Sequence, residues 1–348
     1  MLFRSGPTNH IRPDWRREAE AKSVTRTALV TGGAGFIGSH LVDRLLKEGW
    51  KVIALDNMKN GHASNLVQHK LNQRFQFREV DIRNAKVLRK LSKGCDTVFH
   101  MAAHADIRAS LGNHLADLEN NIIGTINVLE AMVENDIEDL VFASTSALYG
   151  EARVRPTPED YAPVQTSLYG SSKLACEAYA QAYTQFAPTR FWAFRFANVI
   201  GERCRRGVVW DFVHKLRRNP NRLEILGNGK QSKEYLYVKD CIEGMMLAYQ
   251  KSSDKVKVFN LGVEEQTTVD KVADIVIEEM GLAPVTRTYT GGPRGWIGDN
   301  PIVELSMEKM KELGWRLSIS AEEAIRRTAQ WTINDLSRET GTRKLEPP

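Results

Sequence analysis

The sequence predicts an α/β protein: a doubly wound parallel sheet with helices on both faces, followed by a smaller C-terminal α/β domain. Three observations predict it. Short apolar runs of strand length alternate with helical stretches from residue 27 to about residue 196, and that alternation builds a parallel sheet through crossover connections. The first run ends in a glycine-rich turn, Gly32-Gly33-Ala34-Gly35-Phe36-Ile37-Gly38, which opens a helix. After about Asn198 the rhythm breaks into Gly- and Arg-containing loops between single elements.

Taken in order, residues 1–23 are polar and mildly basic and read as a flexible N-terminal extension without the apolar core of a secretory signal. Residues 24–199 form the larger domain. Its strands are expected at 27–31, 51–56, 75–80, 97–100, 140–144 and 191–196, each a short apolar run. Helices are expected from the glycine turn to residue 47, at 115–135 and at 168–186. Residues 200–336 form the smaller domain, with helices at 208–218, 239–250, 269–280 and 321–335. Residues 237–261, including a late strand at 256–261, are expected to return to the main sheet. Residues 337–348 read as a loose tail. No internal repeat is present.

Composition narrows the function. At 348 residues, 42% hydrophobic and 26% charged, the chain has enough apolar residues for a substantial core. No apolar run is long enough to span a membrane, so a soluble cytoplasmic protein without a membrane partner is expected. Cys95, Cys176, Cys204 and Cys241 show no paired spacing, which speaks against a zinc site or disulfide framework and for buried thiols. The net charge of +5 is concentrated. Between Gly201 and Leu236, nine Lys or Arg face four Asp or Glu. That excess suits an anionic ligand or a solvated basic face. Nucleic acid is not expected, because no binding motif or long basic stripe accompanies it.

Three constellations carry chemistry. In the glycine turn, Gly32 permits a tight turn, Gly35 lets backbone approach a pyrophosphate, and Gly38 allows close helix–strand packing. Phosphates then meet free N–H groups at the helix start, around Phe36 and Ile37. Asp56 ends the second strand, with Asn57 beside it. A carboxylate there accepts hydrogen bonds from ribose hydroxyls and repels a 2′-phosphate, so NAD is expected rather than NADP. Asp81 and Ile82, after the third strand, are candidates to contact adenine. Together these features are those of a Rossmann-type dinucleotide site.

The second constellation, Ser144-Thr145-Ser146-Ala147-Leu148-Tyr149-Gly150, follows an apolar strand. Its hydroxyls fall at the carboxyl edge of the sheet, where ligands bind in such folds. The third is Tyr169 and Lys173, four apart and so on one face of a helix. An ammonium near a phenol favours the phenolate, which makes Tyr169 a general base. Thr145 can then hydrogen-bond the alcohol that Tyr169 deprotonates. Small residues at Ala102 and Ala103 let backbone pass close to a cofactor. His100 reads as a packed histidine rather than an acid, while His104 either lines the pocket or sits at the surface.

These residues resemble the extended short-chain dehydrogenase/reductase superfamily in its nucleotide-sugar epimerase/dehydratase branch. The resemblance covers residues 27–335 and rests on five motifs in order: Thr31 to Gly38, His100-x-Ala102-Ala103, Asn121-x2-Gly124-Thr125, Ser144-Thr145 and Tyr169-x3-Lys173. It implies that Thr145 partners the substrate hydroxyl and that Tyr169 is the base. It implies that Lys173 tunes Tyr169 and holds the nicotinamide ribose, and that Asn121 lies at the cofactor. In the later half it implies that Asn198, Lys233, Tyr235 and Arg294 contact a nucleotide sugar through its phosphates and sugar. Lys233 stands where the family usually has Arg, and Lys acts as a point charge where Arg forks a phosphate. Glu202 replaces a common Pro, and Trp210 a common Tyr. The pattern is most similar to compact UDP-glucose 4-epimerases.

The resemblance therefore implies epimerisation at C4 of a UDP-sugar with NAD. The 4,6-dehydratase branch carries acidic residues after the Thr, and this chain has Ser146 and Ala147 there. A dehydrogenase or 4-keto reductase on another nucleotide sugar is the alternative. A non-enzymatic NAD-binding scaffold fits poorly with an intact Thr145, Tyr169 and Lys173. The helices at 115–135 and 168–186 resemble the family's dimer-forming pair, so a homodimer is expected.

Overall fold

The computed structural model describes residues 25–282, 284–296 and 298–342. The expected N-terminal extension lies outside the described residues, as does the chain from residue 343.

The larger half begins with β1 (Thr27–Thr31), α1 (Phe36–Lys47), β2 (Lys51–Asp56), β3 (Phe75–Glu79), α2 (Ala85–Ser92) and β4 (Thr97–His100). Next come α3 (Ile107–Ser110), α4 (Leu115–Asp117), α5 (Gly124–Glu134), β5 (Asp139–Thr145), α6 (Leu168–Phe186) and β6 (Arg190–Phe196). The smaller half adds β7 (Asn198–Ile200), α7 (Val208–Arg218), β8 (Arg222–Ile225), β9 (Ser232–Lys233), β10 (Tyr235–Tyr237) and α8 (Val238–Lys251). It ends with β11 (Val256–Leu261), β12 (Thr267–Thr268), α9 (Val269–Glu279), β13 (Thr286–Tyr289), α10 (Glu308–Glu312) and α11 (Ala321–Thr342).

Seven strands form one parallel sheet in the order β11-β6-β5-β4-β1-β2-β3. Strand order reverses between β1 and β4, and ligands bind at the carboxyl ends beside such a switch. Side chains alternate between the two faces, as the strand period requires. Ala28, Val30, Phe99, Val141 and Trp192 enter a core shared with α1 and α8. Leu29, Val98, Leu140, Phe142 and Phe191 enter a second core under α5 and α6. Both faces are covered, so the strands read as nearly continuous apolar runs. Each fully buried Leu, Val or Phe contributes about 1.5–3 kcal/mol. Three two-stranded pairs, β7–β10, β9–β12 and β8–β13, organise the smaller half.

Two elements differ from expectation. The helix expected over 115–135 is broken: a π-helical turn, Leu118–Ile123, separates α4 from α5. Inside it Asn121 is buried and tied to neighbouring segments, and a side chain so committed holds the turn open. At the other end α11 runs to Thr342 rather than stopping near residue 335, so residues 337–342 are helix rather than tail.

Candidate active site

The glycine turn leaves a bare helix start. Gly32 has φ 68°, and a Cβ on it would lie 2.7 Å from the Ala102 backbone nitrogen. A Cβ on Gly38 would sit 2.1 Å from the Gly32 carbonyl oxygen. Only glycine lets α1 start this close to β1 and to the Ala102–Ala103 backbone. Gly35 caps α1 without a side-chain hydrogen bond, so among the described residues no side chain caps its first N–H groups. These groups and the positive helix end are ready for phosphate. Phe36 and Ile37 are half-buried in this first turn.

Asp56 is buried at the end of β2. Its Oδ2 accepts the Ala34 N–H at 3.1 Å and its Oδ1 the Met58 N–H at 2.9 Å. Burial pushes its pKa up, and these backbone donors oppose the rise. Each oxygen keeps a lone pair for a further donor. The uncapped helix start, the close glycine turn and this oriented carboxylate fit NAD.

Around them, the expected contacts sort unevenly. Asp81 is forked by Arg83, with Nε to Oδ1 at 2.9 Å and Nη2 to Oδ2 at 2.8 Å, and it also accepts from Asn57 Nδ2 at 3.1 Å. The Arg83 hydrogen bonds hold Asp81 well below the usual carboxylate range. Both residues serve the loop that flanks Asp56. Ile82 is buried against α5 at Gly124. Asn121, expected at the cofactor, spends its side chain on the framework. Its Oδ1 accepts from His104 N at 2.7 Å, and its Nδ2 donates to His104 O at 3.0 Å and Ser172 Oγ at 2.9 Å. His100 bridges Thr31 and Thr125 at 2.6 and 3.0 Å, and burial followed by the Lys173 charge pushes its pKa down to about 3. It is a neutral packing residue. His104 is half-buried, with Nδ1 2.9 Å from Asp117 Oδ1.

Thr145, Tyr169 and Lys173 meet at the carboxyl edge of the sheet. Ser167 caps α6 by accepting the Gly170 N–H at 3.0 Å, which fixes where the helix carrying Tyr169 and Lys173 begins. Thr145 Oγ1 accepts the Ala147 N–H at 3.1 Å, and its hydroxyl favours the ionised form of the Tyr169 phenol. Accepting from Ala147 leaves Thr145 its own O–H proton and one further lone pair for a substrate hydroxyl. Lys173 is buried. Its Nζ donates to Ala143 O at 2.7 Å and lies 4.3 Å from the Phe142 ring centroid. Burial lowers its pKa to about 8.

Tuning of the phenol departs from expectation. Burial raises the Tyr169 pKa, and the main opposing influence is the charge of Arg206, followed by the Thr145 hydroxyl. Lys173 is turned to the Ala143 carbonyl instead. Arg206 was not singled out by residue; its only sequence signal is the basic excess after Gly201. Its neighbours are committed, Arg203 to Asp43 at 2.8 Å and Ser39 Oγ at 3.1 Å, and Arg205 to Asp335 at 2.8 Å. Among the described residues Arg206 forms no ion pair and is exposed. Glu202, in the same loop, accepts from Tyr237 OH at 2.9 Å. Ion pairing thus absorbs much of the local positive charge.

The substrate half is also partly committed. Asn198 is exposed and donates to Glu234 O at 3.2 Å. Lys233 is not an open point charge: Nζ meets Asp299 Oδ1 at 2.8 Å and the Asn300 carbonyl. Asp299 Oδ2 accepts the Gly295 N–H at 3.0 Å, so Lys233 ties together Gly295, Asp299 and Asn300. Tyr235 is packed in the core, and burial raises its pKa. Arg294 is half-exposed and pairs with Glu151 at 2.6 Å. An open cleft of about 710 Å³ adjoins that pair, lined by Glu151, Arg153, Arg155, Tyr161 and Thr166. All four cysteines are free and buried.

Comparison with known proteins agrees with this geometry. The sequence model of the NAD dependent epimerase/dehydratase family matches residues 28–262. A putative UDP-glucose 4-epimerase of Methanocaldococcus jannaschii is 34% identical over 313 residues, covering 88% of this chain and 98% of the relative. The UDP-glucose 4-epimerase of Thermotoga maritima, solved with UDP-glucose, superposes with TM-score 0.81 at 33% identity over 89% of this chain and 99% of its own. A dTDP-glucose 4,6-dehydratase from Streptomyces venezuelae, solved with NAD, superposes with TM-score 0.82 at 25% identity over 90% and 98%.

Proposed function

The chain belongs to the NAD dependent epimerase/dehydratase family, and on that premise we propose that Thr145, Tyr169 and Lys173 carry its reaction. It is an NAD-dependent nucleotide-sugar 4-epimerase of the UDP-glucose type. NAD, when bound, would supply the hydride acceptor and donor for the sugar carbon. Tyr169 removes the C4 hydroxyl proton as the C–O bond becomes a carbonyl, and gives the proton back on re-reduction. Thr145 holds the same oxygen. Lys173 and Asp56 would hold the two riboses of the cofactor, and the uncapped start of α1 its pyrophosphate. No net redox occurs when the 4-keto sugar turns over and is reduced on its other face.

The observation that carries this reading is the placement of Thr145 at the end of β5, at the sheet's carboxyl edge, with Tyr169 and the buried Lys173 on one face of α6, where Lys173 reaches the Ala143 carbonyl two residues before Thr145. Fold similarity alone does not separate epimerase from dehydratase. Ala147 does, because a methyl beside Thr145 cannot supply the acid or base that expels water. UDP-glucose incubated with the protein and no added reductant should give UDP-galactose by NMR. Tyr169→Phe should cut turnover by about 10²–10⁴-fold, the usual worth of a positioned acid–base group. Unchanged turnover in that variant removes Tyr169 from the mechanism. NADH consumption with a 4-keto sugar, without epimerisation, makes the protein a reductase.

The UDP-sugar preference and a homodimer are part of the same proposal. Leu115, Leu118 and Ile123, in and around the π turn, and Tyr179 and Phe186 on α6 are exposed large hydrophobics. Clustered apolar exposure of this kind supports a partner surface.

A further inference from the structure

Behind Tyr169 and Lys173 lies a buried ion pair that no step of the proposed reaction uses. Glu177 follows Lys173 by four residues, so one face of α6 carries Tyr169, Lys173 and Glu177 in turn. Glu177 is 1% exposed. Arg195 of β6 forks it, with Nε 3.2 Å from Oε1 and Nη2 2.8 Å from Oε2. Ser144 Oγ donates to Oε1 at 2.5 Å, and Ser144 is the residue before Thr145. Arg195 Nη1 donates to Tyr149 OH at 2.8 Å and to Glu159 O at 2.7 Å. Tyr149 OH donates to Asn260 Oδ1 at 2.7 Å, and Asn260 Nδ2 donates to Ser306 O at 3.1 Å. One buried network therefore joins α6 to the ends of β5, β6 and β11 and to the segment before α10.

Charge gives Glu177 a second role. The groups that bear on Lys173 are Cys176 and Glu177 from its own helix and Asp117 from α4, while His100 on β4 feels its charge. The Ala143 carbonyl and the Phe142 ring of β5 complete its surroundings. Burial keeps the Cys176 thiol up and neutral, and His100 is neutral. Asp117 Oδ1 already engages His104 and Asn121. Among the described residues Asp117 Oδ2 is buried without a hydrogen-bond partner, so Asp117 and Glu177 are the two carboxylates that bear on Lys173, and Glu177 is the one on its own helix face, four residues on and forked by Arg195. Resting on the reaction proposed above, we infer that Glu177 is a positioning residue for it. Glu177 fixes Thr145 through Ser144 and, with Asp117, places buried negative charge near the Lys173 ammonium.

Three variants of the NAD-loaded enzyme separate these two roles. Glu177→Gln removes the charge at constant size. Its kcat should fall, and the alkaline limb of the kcat profile should move to lower pH by about one unit, since a lost anion disfavours the ammonium. Glu177→Asp keeps the charge, so its limb stays while kcat drops. Ser144→Ala should lower kcat about tenfold, the loss of one positioning hydrogen bond, with KM and the limb unmoved. A second readout needs no turnover: the Lys173 side-chain resonance of lysine-labelled protein, assigned by its loss in Lys173→Met, should titrate lower in Glu177→Gln. If Glu177→Gln does not fold, the double variant Glu177→Gln/Arg195→Gln removes the guanidinium together with its carboxylate, and Lys173 should still titrate lower than in the wild type. A Lys173 titration that stays at the wild-type pH overturns the inference. Activity of Tyr169→Phe tests the underlying reaction separately.

Discussion

At the scale of single residues, the site was legible where local spacing sets geometry and illegible where partners come from far along the chain. Tyr169 and Lys173 share a helix face because they are four apart, and Asp56 ends a strand beside the glycine turn. Lys233 reads as a phosphate contact in sequence, but its partner Asp299 arrives through the fold from 66 positions away. Asn121 likewise spends its amide on His104 and Ser172. The control of Tyr169 follows the same pattern. Burial raises its pKa and Arg206, from a loop after β7, is the main opposing charge. Removing that cation disfavours the phenolate, so Arg206→Gln should move the acid limb of kcat to higher pH. An acid limb that stays in place, measured with saturating substrate, would show that solvent screens Arg206 from the phenol.

At the scale of elements, strand and helix positions follow from apolar runs, and most ends fall within one or two residues of expectation. The exceptions are short or tertiary in origin. β9, β10 and β12 are two or three residues long, too short to carry a period. The π turn before α5 answers to the contacts of Asn121, which no helical spacing announces. The start of α1 is the element on which cofactor binding depends most. A methyl at Gly38 would sit 2.1 Å from the Gly32 carbonyl oxygen, so α1 must shift. Gly38→Ala should cost about 1–3 kcal/mol of stability, as overpacking does. The variant should also lose the rise in Tm that NAD gives the wild type. A normal NAD-induced shift in this variant would mean that phosphate binding does not need the close turn.

At the scale of the whole molecule, the parallel sheet places the glycine turn, Asp56 and Thr145 along one edge, and β11 closes the sheet next to β6. No described helix is long and apolar enough to cross a membrane. The exposed apolar side chains on and around α4 and α6 predict a dimer. Light scattering should therefore give twice the 39.3 kDa chain mass; the monomer mass at working concentration would reject it. The reaction is a reversible oxidation at one sugar carbon, and deuterium at C4 of UDP-glucose reports on it directly. The rate should fall and the UDP-galactose should keep its deuterium at C4, because the hydride leaves and returns without meeting solvent. Loss of that deuterium to water during epimerisation would contradict it.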